Sequence, residues 1–293
     1  MEWFYLALLN PAIFALINIL DDNMLKGIYK TPYFGTIVTG LFALLPLLGL
    51  FFFKIAFPPI NIILVALTAG FILIITYFFY FKALEVETPS IIVSLWLSSV
   101  AIVPFLAYIF LNEVFNFNQY IGIILILISS FILSVNFKEL KFSKAAIFMI
   151  IASILSAFMV ILEKYVYSFI DFYSGFVFIS FGIGIGALFF MVFFKEGRKF
   201  PKQFFHSRKW LWLFILTELI NIFGVFLVNY TISKGPVSLI EAIAGIQPLY
   251  VLIFSILLYP FFPKYFRDAV HGNNMKKFVC MLVIVIGLYL INS

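Results

Sequence analysis

Ten continuous apolar runs, most about 20 residues long, constrain this chain more than any other feature of it. They lie near residues 3–20, 34–53, 60–80, 89–111, 119–135, 144–162, 173–194, 210–230, 237–259 and 277–291. A helix rises about 1.5 Å per residue, so about 20 residues match the ~30 Å of bilayer hydrocarbon. Only helices and closed barrels satisfy their own backbones there, and barrel strands would alternate in hydropathy. The runs are separated by polar or helix-breaking clusters such as Asp21-Asp22-Asn23, Pro58-Pro59, Asn112-Glu113 and Lys234-Gly235-Pro236. With 65% hydrophobic and 11% charged residues, the chain has too little polar cover for a soluble domain. The expectation is an all-α integral membrane protein, multi-pass, in the cell (plasma) membrane.

Two stretches are alike. Residues 82–136 read KALEVETPSIIVSLWLSSVAIVPFLAYIFLNEVFNFNQYIGIILILISSFILSVN, and a related pattern runs from Tyr230 to Asn292. Ser90 and Ile92 align with Ser238 and Ile240, and the same register pairs Ile72 with Ile220 and Phe78 with Phe226. Asn136 pairs with Asn292 at a slightly longer spacing. The first and sixth runs end alike, as Ile19-Leu20-Asp21-Asp22 and Ile161-Leu162-Glu163-Lys164. Ten helices therefore divide into five and five, over residues 1–137 and 138–293. An odd number of spans per copy turns the second copy upside down, which predicts a 5+5 inverted repeat. A duplicated membrane unit of this kind suggests a transporter.

Basic residues mark one face. Sixteen lysines and arginines fall on the side of Lys26, Lys82, Lys138, Lys195 to Lys209 and Lys277, against Lys54, Lys164 and Lys234 on the other. The positive-inside bias then puts both termini outside the cytoplasm. The net charge of +6 is this loop chemistry and implies no nucleic-acid partner. The N-terminal stretch has no basic leader or cleavage pattern and reads as a first span. The lone Cys280 reads as packing, and His206 and His271 lack partners at ligand spacing, so neither metal nor cofactor is expected.

The segment ALEVETPSIIVSLWLSSVAIVPFLAYIFLNE, followed by a short apolar helix, resembles the EamA-like branch of the drug/metabolite transporter (DMT) superfamily. GPVSLIEAIAGIQPLYVLIFSILL looks like the second copy of that pattern. There are departures. Val100 stands where the second copy has Pro248, Phe261 falls opposite Glu113, and the second turn is longer. The resemblance implies a central cavity lined by helices 1, 3, 4, 6, 8 and 9, small metabolites or drugs as substrates, and often efflux. It also implies cytoplasmic termini, against the charge count.

An intramembrane carboxylate is a functional candidate by default, because charge at the bilayer centre costs about 2.5–3.5 kcal/mol or more. Glu218 and Glu241 qualify, as carriers of a coupling proton or partners of a cationic cargo. Asn221 shares a helix face with Glu218, three residues away. Gln247 lies six residues after Glu241, on a different stripe of one continuous helix, and Gln247-Pro248 frees a carbonyl. Trp96, among Ser94, Ser98 and Ser99, either stacks on a ligand or packs on a neighbour. Asn18 and Tyr80 are weaker binding candidates. Gly182, Gly184 and Gly186 read as close helix packing rather than a dinucleotide loop. Asp21-Asp22 and Glu163-Lys164 read as acidic helix ends, and the Asn229-Tyr230-Thr231 glycosylation pattern as accidental.

These features favour a secondary-active transporter, with no catalytic residues expected. An integral-membrane lipid-modifying enzyme is a rival that would need convergent acids or a nucleophile with its base. A non-transporting scaffold or receptor is another. Partners are a small-molecule substrate, membrane lipid and a coupling proton, and the oligomeric state is open.

Overall fold

The computed structural model describes residues 2–25, 31–52, 54–87, 89–134, 144–206, 211–260 and 274–292. Lys26, Lys30, Asn136, Lys138, Lys141, Arg208, Lys209 and the turn with Phe261, Lys264, Arg267 and His271 lie outside the described residues.

The helices are α1 (Glu2–Met24), α2 (Pro32–Phe42), α3 (Ile60–Leu84), α4 (Pro89–Leu111), α5 (Phe117–Ser134), α6 (Lys144–Tyr167), α7 (Phe172–Phe193), α8 (Phe200–His206), α9 (Leu211–Lys234), α10 (Val237–Ala244), α11 (Gln247–Leu258) and α12 (Asn274–Asn292). A 3-10 helix over Leu45–Phe51 continues α2. Among the described residues nine spans are long and apolar enough to cross a membrane, and Phe117–Leu133 is a shorter apolar one. The chain is an all-α membrane protein built as a five-plus-five inverted repeat.

The sixth and eighth runs extend beyond their expected apolar limits: Glu163 and Lys164 lie inside α6, and α9 runs on to Lys234. The ninth run is two helices. It breaks at Gly245 and Ile246, and Pro248 then sits in the first turn of α11, where a backbone N–H has no intrahelical acceptor in any case. Pro11 and Pro104, by contrast, lie within continuous helices.

Packing is crossed between the copies. α1 lies against α9, α10 and α11, while its counterpart α6 lies against α3 and α4. The last spans, α5 and α12, pair with each other, and Gly122 and Gly287 let their backbones meet. α3 and α7 are in similarly close contact. A Cβ on Gly70 would collide with the carbonyl of Ile179, and one on Gly182 with the backbone of Leu67. The glycine run is therefore a packing surface, as its small-residue spacing indicates. Outward-facing Ile128, Phe131, Phe193, Phe223, Val285 and Tyr289 remain exposed, which suits lipid contact.

Two side chains hold the α9–α10 turn at the face carrying both termini, and one of them, Glu113, comes from the other copy. α4 ends on Asn112, whose positive φ of 54° is the left-handed stop that asparagine tolerates, and the Glu113 N–H closes back on the Ala107 carbonyl. That stop turns the Glu113 carboxylate onto the start of α10. It accepts hydrogen bonds from the backbone N–H groups of Val237 (2.8 Å) and Ser238 (3.0 Å) and from Ser238 Oγ (2.7 Å). It thus caps a helix of the other copy, where the dipole favours an anion. Lys164 Nζ meanwhile donates to the carbonyls of Ile232 (2.9 Å) and Gly235 (2.7 Å) at the end of α9. The α9–α10 hairpin is held from both sides. Replacing Glu113 with alanine should destabilise the protein by about 1–2 kcal/mol, the range for a lost helix cap. Thermal unfolding in detergent would register this as a lower midpoint, which Glu87→Ala should not reproduce.

Candidate functional site

The crossed packing leaves a gap. A cavity of about 130 Å³ is enclosed by α1, α3, α4, α6, α9 and the α10–α11 segment. Its wall runs from Asn10 to Asp21 along α1, about 16 Å at helical rise. Each of the six apolar runs expected around a cavity contributes, and each copy supplies three.

Polar groups are concentrated here. Asp21, Glu163 and Glu241 line the wall with Asn10, Asn18, Asn229 and Gln247, and no Lys, Arg or His among the described residues does. α1 and α6 run in opposite directions through the bilayer, so Asp21 and Glu163, each near its helix's last turn, lie toward opposite faces. Asp21 is answered: Tyr80 donates its hydroxyl toward Asp21 Oδ2 (3.2 Å) and Asn18 Oδ1 (3.0 Å). Asn229 is answered too, accepting from the Tyr167 hydroxyl (2.7 Å) and donating to the Val225 carbonyl (3.0 Å). Glu163 is fully buried, and neither carboxylate oxygen has a hydrogen-bond partner among the described residues. Asn10 is 1% exposed and both of its amide atoms are likewise unpartnered.

Five of the seven candidates from sequence meet at this cavity: Glu241, Gln247, Trp96, Asn18 and Tyr80. Glu241 and Gln247 share a wall although a continuous helix would separate them. The break at Gly245 and Ile246 removes the fixed 100° step on which that separation rests. Trp96 both lines the cavity and packs its edge against Tyr80, with centroids 6.4 Å apart. Glu218 and Asn221 stand apart. Asn221 Nδ2 donates to Glu218 Oε2 (3.3 Å), Thr39 donates to Glu218 Oε1 (3.0 Å), and Tyr77 donates to Asn221 Oδ1 (3.1 Å). This chain of bonds joins α2, α3 and α9 beside a void of about 10 Å³, room for roughly one water.

A family comparison decides what kind of protein carries such a cavity. The model of the EamA-like transporter family matches residues 1–135 and again 143–266. The chain belongs to the EamA-like transporter family. That family is a branch of the drug/metabolite transporter superfamily, and its members are transporters. A solved crystal structure, described only as that of a protein, shares the fold with a TM-score of 0.68 at 15% identity, over 99% of this chain and 94% of the other. No curated protein matches.

In this EamA-like chain, sequence reasoning missed Glu163, Asp21 and Asn10. Glu163-Lys164 looks like a helix end with its own counter-charge. In the structure Lys164 faces the α9 carbonyls and Glu163 faces inward, so the pair is divided. The repeat held the available signal, since Glu163 falls at the position of Asp21. Asn229 is 1% exposed, which keeps a glycosylating enzyme from it in the folded chain. Tyr80→Phe removes the hydroxyl shared by Asn18 and Asp21. It should destabilise the protein by about 1–3 kcal/mol, the range for a buried polar group losing its partner. Melting in detergent beside Tyr108→Phe, on the exposed side of α4, checks this.

Proposed function

We propose that this EamA-like protein is a secondary-active transporter of small organic solutes, metabolites or drugs, which it exports across the cell membrane by alternating access. The observation that carries the reading is a cavity with three carboxylates on a largely apolar wall, lined by corresponding helices of two inverted copies. In such a layout the halves, 1–137 and 138–293, rock against each other and open one site to each side in turn. Unequal packing supports this. α3 packs on α6 and α7 more extensively than its counterpart α9 packs on α1 and α2. An inverted repeat caught in one state should show that asymmetry.

The chain has no phosphate-binding loop motif, so energy comes from an ion gradient or from exchange of cargo. Glu241 is our candidate for the coupling proton. It is 6% exposed, lines the cavity, and sits beside the helix break that gives the ninth span its freedom to bend. Glu241→Gln should abolish proton-driven uptake into proteoliposomes of a solute found by thermal-shift screening, with an unaltered melting profile. Unchanged transport would remove Glu241 from the mechanism.

A further inference from the structure

The least satisfied group in the molecule is the Glu163 carboxylate. Burying an ion without a partner is expensive, and no group among the described residues makes a well-formed hydrogen bond to Glu163: the nearby Asn229 amide is given to the Val225 carbonyl. The adjacent cation is engaged elsewhere: Lys164 Nζ is within 2.9 Å of the Ile232 and Gly235 carbonyls. Glu241 adds a second acid to the same cavity, within electrostatic reach of the first. Asn10 adds an amide with both atoms unpartnered.

These facts define what fits. An anion entering the cavity meets Asp21, Glu163 and Glu241 with no basic side chain on the wall among the described residues. A neutral apolar solute leaves Glu163 and Asn10 as they are, buried and unpaired. A cation with N–H donors answers both. The rest of the wall suits its apolar body, since Phe14, Tyr77, Tyr80 and Trp96 supply aromatic surface, and ring faces attract cations. The volume sets the size. About 130 Å³ is well below the ~300–1,000 Å³ of drug-sized pockets and near the ~150 Å³ of a cavity that takes benzene.

We propose that the cavity is a site for a small organic monocation, a protonated amine on a body about the size of one aromatic ring, with Glu163 as counter-ion and Asn10 as second polar contact. The proposal rests on the transporter reading and names its cargo class. It is tested by binding alone, so its failure is separable from failure of transport.

The probes are benzylamine, benzyl alcohol and benzoate, three ligands of similar shape and different charge. Each is titrated into the purified full-length chain in detergent at one pH, with calorimetry and thermal melting as readouts. Benzylamine should bind and raise the melting midpoint, and the alcohol and the carboxylate should do neither. Glu163→Gln, close to isosteric, should raise the benzylamine Kd at least about tenfold, as expected for losing a hydrogen bond to a charged group. Glu85→Gln, at an exposed turn on the basic face, should leave the Kd as it was. Equal binding of amine and alcohol, or wild-type amine affinity in Glu163→Gln, overturns the proposal. Should Glu163→Gln not fold, Asn10→Ala is read in the same titration, and an unchanged Kd there overturns it equally. Amine binding without transport in proteoliposomes would count against the transporter reading and leave the site standing.

Discussion

A carboxylate within an apolar helix has to be answered by the protein itself, because lipid offers no donor and water is distant. How each acid here is answered orders much of the structure. Glu113 is met by the start of α10 and so fastens one copy to the other. Glu218 is met by Thr39 and Asn221 and so joins α2 to α9. Asp21 is met by Tyr80 across α1 and α3. Glu163 has no well-formed hydrogen bond among the described residues, and it lines a cavity large enough to admit a partner from outside. The gradient from fully bonded to unbonded separates acids that hold the fold from Glu163, which faces the cavity without a bond.

Glu218 gains a structural meaning from the repeat. At the register that pairs Ile72 with Ile220, it stands where the first copy has Gly70. Gly70 lets α3 touch the backbone of α7. The equivalent contact, α9 against α2, is made instead through the Glu218–Thr39 hydrogen bond, and it is less extensive. One copy thus closes its interface by removing a side chain, and the other spans a wider one with a polar chain. The two interfaces are related by the duplication, yet they differ in both chemistry and closeness.

The spans are legible in the sequence because they rest on long apolar runs that no single contact can override; the two copies show in residues paired at one register, and the six cavity helices follow only from the family resemblance. The Asn112-Glu113 turn is visible as well, but its purpose is not. A carboxylate that caps a helix some 120 residues away leaves no local trace. The same limit hides the cavity acids. Glu163 and Lys164 are adjacent in sequence, and adjacency suggests a pair. Neighbours on a helix point about 100° apart, however, and the fold sends one inward and the other to the hairpin. Gln247 shows the opposite error. Helical geometry separates it from Glu241 only while the helix is continuous, and a glycine followed by a proline three residues on was the local warning that it is not.

Inverted duplication has a consequence that composition alone cannot convey. Asp21 and Glu163 occupy equivalent positions, each near the end of the first helix of its copy, and they lie toward opposite faces of one chamber. Identical chemistry at both would make the two faces equivalent. Their surroundings differ instead. Tyr80 reaches Asp21 from α3, while the matching position in α9 is Val228, which has no hydroxyl to offer Glu163. The tyrosine near Glu163 is Tyr167, on the same helix, and its hydroxyl is given to Asn229. The difference is therefore written partly in the sequence. One end of the chamber keeps an internal donor for its acid, and at the other the acid is left without one among the described residues. A chamber so arranged has a built-in polarity, set by residues that the two copies do not share.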